Sequence, residues 1–274
     1  MRSTRTPPPG TEPSGWRSGD GCRAAVERAR RRGDGASSGL GRATAARLAR
    51  AGADVVLFAR HEGHLAAAAE EVEKLGRRAV PVSVDLADAD ATAAAFEHAV
   101  EQAGRLDILV NAAATDAPGP VGNLEVGQWD HVLAVNLRAP FHLAKLAFPH
   151  LRRAGGGTIV NVSSVAGKRG WAEAGAYCAS KFGLTGLTQA LAAEVRPYGI
   201  RARVLYPGGM DTHWGTFDSG DRDLERPATA TPRLTTQTLP PEHVADLIVW
   251  IAGAPRELVL NEAIVAPLHE TGWP

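Results

Sequence analysis

From Gly39 onward, short apolar runs alternate with longer Ala-rich stretches of helical character, and that alternation restricts the architectures open to the chain. Runs at 53–58, 79–84, 106–110, 158–162, 201–206 and 263–266 read as strands. Stretches at 39–51, 62–75, 89–103, 129–153, 175–196 and 242–251 read as helices, the fourth interrupted in pattern at Pro140. Gly52, Gly76 and the Pro197/Gly199 pair supply helix stops, while Gly155-Gly156-Gly157 turns the chain into a strand. Apolar strands separated by such helices form βαβ units on a parallel sheet that is covered on both faces. The expected fold is α/β, a single domain with a doubly wound parallel sheet. Ligands of such sheets bind outside the carboxyl ends of the strands, where strand order reverses.

The chain's 274 residues suffice for one domain of this kind. Thirty basic residues balance thirty acidic ones, so charge gives no reason to expect nucleic acid or a membrane surface as a partner. Residues 1–32 carry eight Arg against Glu12, Asp20 and Glu27, and begin with a Pro-rich stretch. They are expected to be a basic, disordered or atypical arm ahead of a catalytic domain at 33–274. No apolar run approaches the roughly 18 residues of a membrane span. Cys22 and Cys178 form no disulfide framework and no Cys or His cluster has metal spacing, so a reduced, cytoplasmic setting without metal is expected.

Gly35-Ala36-Ser37-Ser38-Gly39-Leu40-Gly41 precedes the first clear helix. Glycines there permit close backbone approach, and the N–H groups of a helix start attract a pyrophosphate. An ordinary Gly/Ser turn is the alternative, and the spacing differs from GxGxxG. The next strand ends at Arg60, with His61 beside it. A basic residue there favours the 2′-phosphate of NADP(H) over the bare ribose of NAD(H), although a solvated charge would look the same in sequence. Asp85 and Leu86 close the following strand. Asp85 is a candidate acceptor for the adenine amine, or equally a turn cap.

The strand at 158–162 runs into Ser163 and Ser164, and Tyr177 and Lys181 follow on a helix four residues apart. That spacing puts a phenol and an ammonium on one helix face. A phenol, with a pKa of about 10, is a poor base at neutral pH, and a neighbouring cation favours its ionised form. Tyr177 is therefore expected to exchange a proton with a substrate oxygen while hydride moves at nicotinamide. Ser164 would hydrogen-bond the same oxygen, and Lys181 would tune Tyr177 and grip the nicotinamide ribose. Tyr-x-x-x-Lys alone is a common accident; behind a Gly-rich loop and a strand-terminal serine it is specific.

With these residues in hand, the chain from Gly35 to Pro274 resembles the short-chain dehydrogenase/reductases. The loop at Gly35–Gly41 is similar to their TGxxxGxG motif, and Asn111-Ala112-Ala113-Ala114 occupies their NNAG position. The resemblance implies a Rossmann-like fold and adds Asn136 to Ser164, Tyr177 and Lys181 as a catalytic residue that holds a water linking Lys181 to solvent. It also implies cofactor contacts from Asn111, Ala112, Pro207, Gly208 and Thr212, and a homodimer or homotetramer built through the helices at 129–153 and 175–196. Two departures stand out: the Asn-Ala-Ala-Ala segment lacks the second Asn and the final Gly, and Asn261-Glu262-Ala263-Ile264-Val265 lacks the family's glycine-rich ending.

The segment before Gly35 carries a further departure. The family places an apolar central strand there, whereas residues 23–34 contain six charged Arg or Glu residues plus Asp34 and read as a short basic helix or coil. Buried unpaired charges cost several kcal/mol each against a total stability of about 5–15 kcal/mol. A distorted strand, a degenerate protein or a reading frame shifted just before Gly35 would each explain the pattern, and the abrupt onset of intact motifs favours the last. The expected activity is NADP(H)-dependent hydride transfer between nicotinamide and a medium-sized, partly apolar carbonyl or alcohol, acting as a ketone or aldehyde reductase, with a degenerate, non-catalytic binding protein as the alternative. Trp171, Trp214 and Phe217 are the candidate substrate residues, the last two on a lid at about 213–240.

Overall fold

The computed structural model describes residues 23–27, 39–210 and 238–268. Seven strands, β1 Arg23–Glu27, β2 Asp54–Ala59, β3 Ala79–Ser83, β4 Ile108–Asn111, β5 Gly157–Val162, β6 Ile200–Pro207 and β7 Glu262–Val265, form one sheet. Their order is β3-β2-β1-β4-β5-β6-β7 and every neighbouring pair is parallel. Helices α1 Leu40–Arg50, α2 Glu62–Lys74, α3 Ala89–Ala103, α4 Val126–Leu133, α5 Ala139–Arg153, α6 Gly175–Val195 and α7 Pro241–Gly253 connect and cover them. This is a single-domain Rossmann-like, doubly wound sheet. Strand order reverses between β1 and β4, so the ligand crevice lies at the carboxyl ends of those two strands.

Two dry layers hold the helices on. Val26, Leu57 and Val110 face Leu48 of α1 and Ile248 of α7, while Val56, Phe58 and Leu109 face Phe96 of α3 and Leu143 of α5. The Phe58 and Phe96 rings stack at 6.0 Å. Each fully buried Leu, Val or Phe contributes about 1.5–3 kcal/mol to holding these layers together. No helix of the described residues is long and apolar enough to cross a membrane.

The N-terminal run read as a basic helix or coil departs from that expectation. Arg23–Glu27 is a strand, and it occupies the centre of the sheet between β2 and β4. Only Ala24, Ala25 and Val26 need be dry at this position, and all three are fully buried. Ala24 and Val26 join one apolar layer and Ala25 the other, which is the period-2 pattern of a strand covered on both faces. Three apolar residues are too short a signal to emerge from a twelve-residue window rich in arginine. The sheet thus draws its central strand from the stretch that the sequence set apart as an arm.

The predicted helix at 129–153 also differs in form. One π-helical turn, Ala134–Arg138, joins α4 to α5, and within it the Ala139 N–H donates to the Ala134 carbonyl five residues back. Pro140 has no N–H, and it sits in the first turn of α5, where none is required. The wide turn lets the helical path continue past a residue that would otherwise stop it.

If Ala25 lies at the dry centre of the sheet, Ala25→Asp should cost at least about 3 kcal/mol and abolish cooperative folding or lower the urea midpoint sharply. An unchanged midpoint would show that residues 23–27 are not the central strand.

Candidate active site

Because the sheet is wholly parallel, the residues after β2, β3, β4, β5 and β6 all emerge at one edge. Beyond β5, Ser164 starts a short 3-10 turn, Val165–Gly167, and its Oγ accepts from the Ala166 N–H at 3.2 Å. Gly167 is required by close packing: a Cβ there would collide with the Ser163 hydroxyl and lie 2.8 Å from the Lys181 carbonyl oxygen. This pins the turn against α6, whose first turns carry Tyr177 and Lys181.

Ser164, Tyr177 and Lys181 are brought together. The Ser164 and Tyr177 side chains hydrogen-bond. The Lys181 ammonium lies 5.6 Å from the Tyr177 ring centroid and donates to the Val162 carbonyl at 2.9 Å. Lys181 is 1% exposed. Burial pushes the Tyr177 hydroxyl well above the usual phenol range; the Ser164 hydrogen bond pulls it down by less, and the Asp116 carboxylate adds to the rise. The lowering expected from Lys181 does not prevail within the protein's own groups, because a phenolate in this dry site loses more hydration than its neighbours return.

Asn136 belongs to the same locus. It is fully buried in the π-helical turn. Its Oδ1 accepts from the Thr115 N–H at 2.7 Å, and its Nδ2 donates to the Thr115 carbonyl at 2.8 Å and to the Ser180 hydroxyl at 3.1 Å. Ser180 in turn donates to the Tyr177 carbonyl at 2.7 Å. One carboxamide therefore staples the segment after β4 to the start of α6. Four residues beyond Asn136 stands Pro140, so the Asn136 main-chain carbonyl lacks the donor that an α-helix would supply.

On the nucleotide side, Gly39 caps α1, no acidic residue occupies the helix's first turn, and among the described residues a Cβ at Gly39 would meet nothing within 4 Å. Leu40 and Gly41 are buried behind it. Gly35, Ser37 and Ser38 lie outside the described residues. Arg60 directly follows β2, half-buried, and its guanidinium has no hydrogen bond or ion pair among the described residues. His61 caps α2 with extended backbone and no side-chain bond. Asp85 accepts from the Ala87 N–H at 3.0 Å, so one carboxylate oxygen serves the turn, and Leu86 is buried next to it. Asn111 ends β4 and donates to Asn161 Oδ1 at 2.7 Å, and its own buried Oδ1 has no hydrogen-bond partner among the described residues. Ala112 follows, half-buried. Pro207 ends β6, and the Gly208 N–H donates to the Val265 carbonyl at 2.8 Å.

Trp171 stands 48% exposed between the Ser164 turn and α6. Thr212, Trp214 and Phe217, with most of the expected lid, lie outside the described residues. Sequence reasoning missed Asp116, buried close enough to Tyr177 to act on its charge. It also missed the buried chain from Asn111 through Asn161 to Thr188, whose Oγ1 accepts from Asn161 Nδ2 at 2.8 Å. Asn161 did leave a signal, as a lone amide inside an otherwise apolar strand. Asp116 left none, because its loop has no periodic pattern.

Comparison with known proteins agrees with this geometry. Residues 34–221 match the family model described as short chain dehydrogenase. The cis-4-hydroxycyclohexanecarboxylate dehydrogenase of Sinomonas cyclohexanicum is 35% identical over 237 residues, covering 85% of this chain and 92% of that protein. A metagenomic short-chain oxidoreductase solved in complex with NADP superimposes with a TM-score of 0.72 at 32% identity, over 91% of this chain and 98% of that one. Carveol dehydrogenase from Mycobacterium avium, solved with NAD, gives 0.77 at 28% identity, over 90% and 96%. With its Rossmann-like sheet, its Ser, Tyr and Lys at one strand edge and these relatives across most of its length, the chain belongs to the short-chain dehydrogenase/reductase family of hydride-transferring oxidoreductases.

Proposed function

We propose that the protein is an NADP(H)-dependent oxidoreductase acting on carbonyl/alcohol pairs and working chiefly as a ketone or aldehyde reductase. The observation that carries this reading is the buried meeting of Ser164, Tyr177 and Lys181, with Tyr177 held in its protonated form. The residues present suit a nicotinamide dinucleotide. The α1 N-terminus at Gly39 would receive the pyrophosphate, Arg60 after β2 would meet a 2′-phosphate, and Lys181 would bring a positive charge to the ribose side. Asp85, Leu86, Asn111, Ala112, Pro207 and Gly208 supply further contacts, as do Leu40 and Gly41; Gly35, Ser37, Ser38 and Thr212, outside the described residues, are candidates from the sequence alone. When bound, the reduced cofactor supplies hydride to the carbonyl carbon.

In the reductive direction Tyr177 donates its proton to the substrate oxygen, and Ser164 donates a hydrogen bond to the same atom, stabilising the charge that develops there. Lys181 stabilises the resulting phenolate and hands on a proton. The Asn136 carbonyl, lacking a helical donor, is suited to hold the water that resupplies Lys181. Trp171 is the proposed apolar contact for the substrate, and Trp214 and Phe217, outside the described residues, are candidates for the same role from the sequence alone. A reduced cytoplasmic pool, the expected location, favours this direction. Two copies are expected to associate through the groove of about 700 Å³ between the π-helical turn, α5 and α6, lined by Leu133, Leu137, Phe141 and Leu187.

Four measurements test the reading. Tyr177→Phe should lower kcat at least about 100-fold while leaving the thermal shift caused by NADPH unchanged, and an undiminished rate would refute the acid role. NADPH should raise the melting temperature where NADH does not. Arg60→Asp should weaken NADPH about 10- to 100-fold by removing a charge-assisted contact, and equal responses to both nucleotides before mutation would sink the NADP preference. Because Tyr177 is held protonated, alcohol oxidation should accelerate as pH rises from neutral into the alkaline range, whereas reduction should hold constant over the same range. An oxidation rate independent of pH would contradict this assignment.

A further inference from the structure

We infer that Glu262 is a positioning residue for the reacting centre: its carboxylate ties the turn that carries Ser164 to the helix that carries Tyr177 and Lys181. The inference rests on the reaction proposed above. One carboxylate oxygen, Oε2, forms an ion pair with Lys168 Nζ, and the other, Oε1, accepts from Gln189 Nε2 at 2.8 Å. Lys168 immediately follows the 3-10 turn begun by Ser164, and its N–H closes that turn on the Val165 carbonyl at 3.0 Å. Gln189 lies on α6, a little over two turns beyond Lys181. Glu262 itself is the first residue of β7, registered against Val204 of β6. A single side chain on the edge strand thus spans the two elements whose relative placement sets the distance between Ser164 and Tyr177.

The surroundings make the tie directional. The Lys168 ammonium sits 4.5 Å from the centroid of the Tyr206 ring, which is fully buried and gives it a fixed floor. Thr185 of α6 lies beside the same turn, its Oγ1 donating to the Lys181 carbonyl at 3.0 Å and standing 3.4 Å from the Gly167 carbonyl oxygen. Lys168 and Glu262 are each about one-third exposed, and their mutual hydrogen bond raises the affinity of Lys168 for its proton and lowers that of Glu262. An ion pair this open adds little to global stability. Its effect should appear instead in geometry, since displacement of a reacting group by 1 Å can cost about 100-fold in rate.

The test compares Glu262→Ala, Lys168→Ala, their double variant and Lys168→Arg with the unaltered protein. Turnover is followed with NADPH and whichever ketone or aldehyde of a broad panel the unaltered protein reduces fastest. Each Ala variant should lose about tenfold in kcat, with the KM for NADPH within about twofold and the melting temperature within about 2 °C. The double variant should be no worse than either single one, because both remove the same tie. Lys168→Arg should recover most of the rate. Without any ligand, amide hydrogen exchange should quicken at 163–168 in the Ala variants and stay unchanged at 55–59. Unaltered kcat and exchange in both Ala variants would overturn the inference, as would faster exchange throughout the chain with a matching fall in melting temperature. An unaltered protein that reduces no carbonyl would remove the proposed reaction, and the exchange comparison would still decide whether Glu262 orders the Ser164 turn.

Discussion

A lysine ammonium buried to 1% exposure costs several kcal/mol unless its hydrogens find acceptors, and the arrangement around Lys181 follows from that requirement. Its bond to the Val162 carbonyl fixes α6 against the last residue of β5. Tyr177, one helical turn earlier, is thereby set facing the Ser164 turn, which continues from the same strand. The Lys181 carbonyl completes the joint by accepting from the Ser163 hydroxyl at 3.2 Å, where Gly167 leaves room for the approach. Chemistry and packing share these contacts, so a substitution at any of them disturbs both.

The same logic extends into the sheet. Helices on both faces exclude water from β4 and β5, and a polar side chain there must find its partner within the protein. Asn111, Asn161 and Thr188 meet that need by bonding in series from β4 through β5 to α6. Asn136 does the equivalent between the loop after β4 and α6. These buried networks rigidify the crevice edge from below, while Glu262, Lys168 and Gln189 brace it from the side. The contrast in burial matters: the inner ties hold the fold together, whereas the outer one adjusts geometry at little cost in stability.

The charge state of Tyr177 shows how environment outweighs a single neighbour. Helical spacing places Lys181 near the phenol, and simple Coulomb reasoning would have it favour phenolate. Burial acts in the opposite sense and is the larger effect, with Asp116 reinforcing it. The phenol consequently stays protonated in the protein's own field, and the same burial makes it a weaker acid than a solvated tyrosine.

Much of the fold was legible from residue pattern alone. Strand and helix positions from Gly39 onward agree with the structure to within a few residues, because fully buried strands and amphipathic helices impose local periodicities that survive in one dimension. Ser164, Tyr177 and Lys181 could be singled out because a strand end and an i,i+4 spacing are local facts. The identity of the central strand was decided only in three dimensions. Ala24-Ala25-Val26 has no distinctive pattern within its arginine-rich flanks, and it becomes a strand because β2 and β4 offer backbone partners and two dry layers accept three small side chains. Asp116 beside Tyr177, the Asn136 staple and the reach of Glu262 across 94 residues to Lys168 were likewise settled by tertiary contact, since no local rule relates side chains so far apart along the chain.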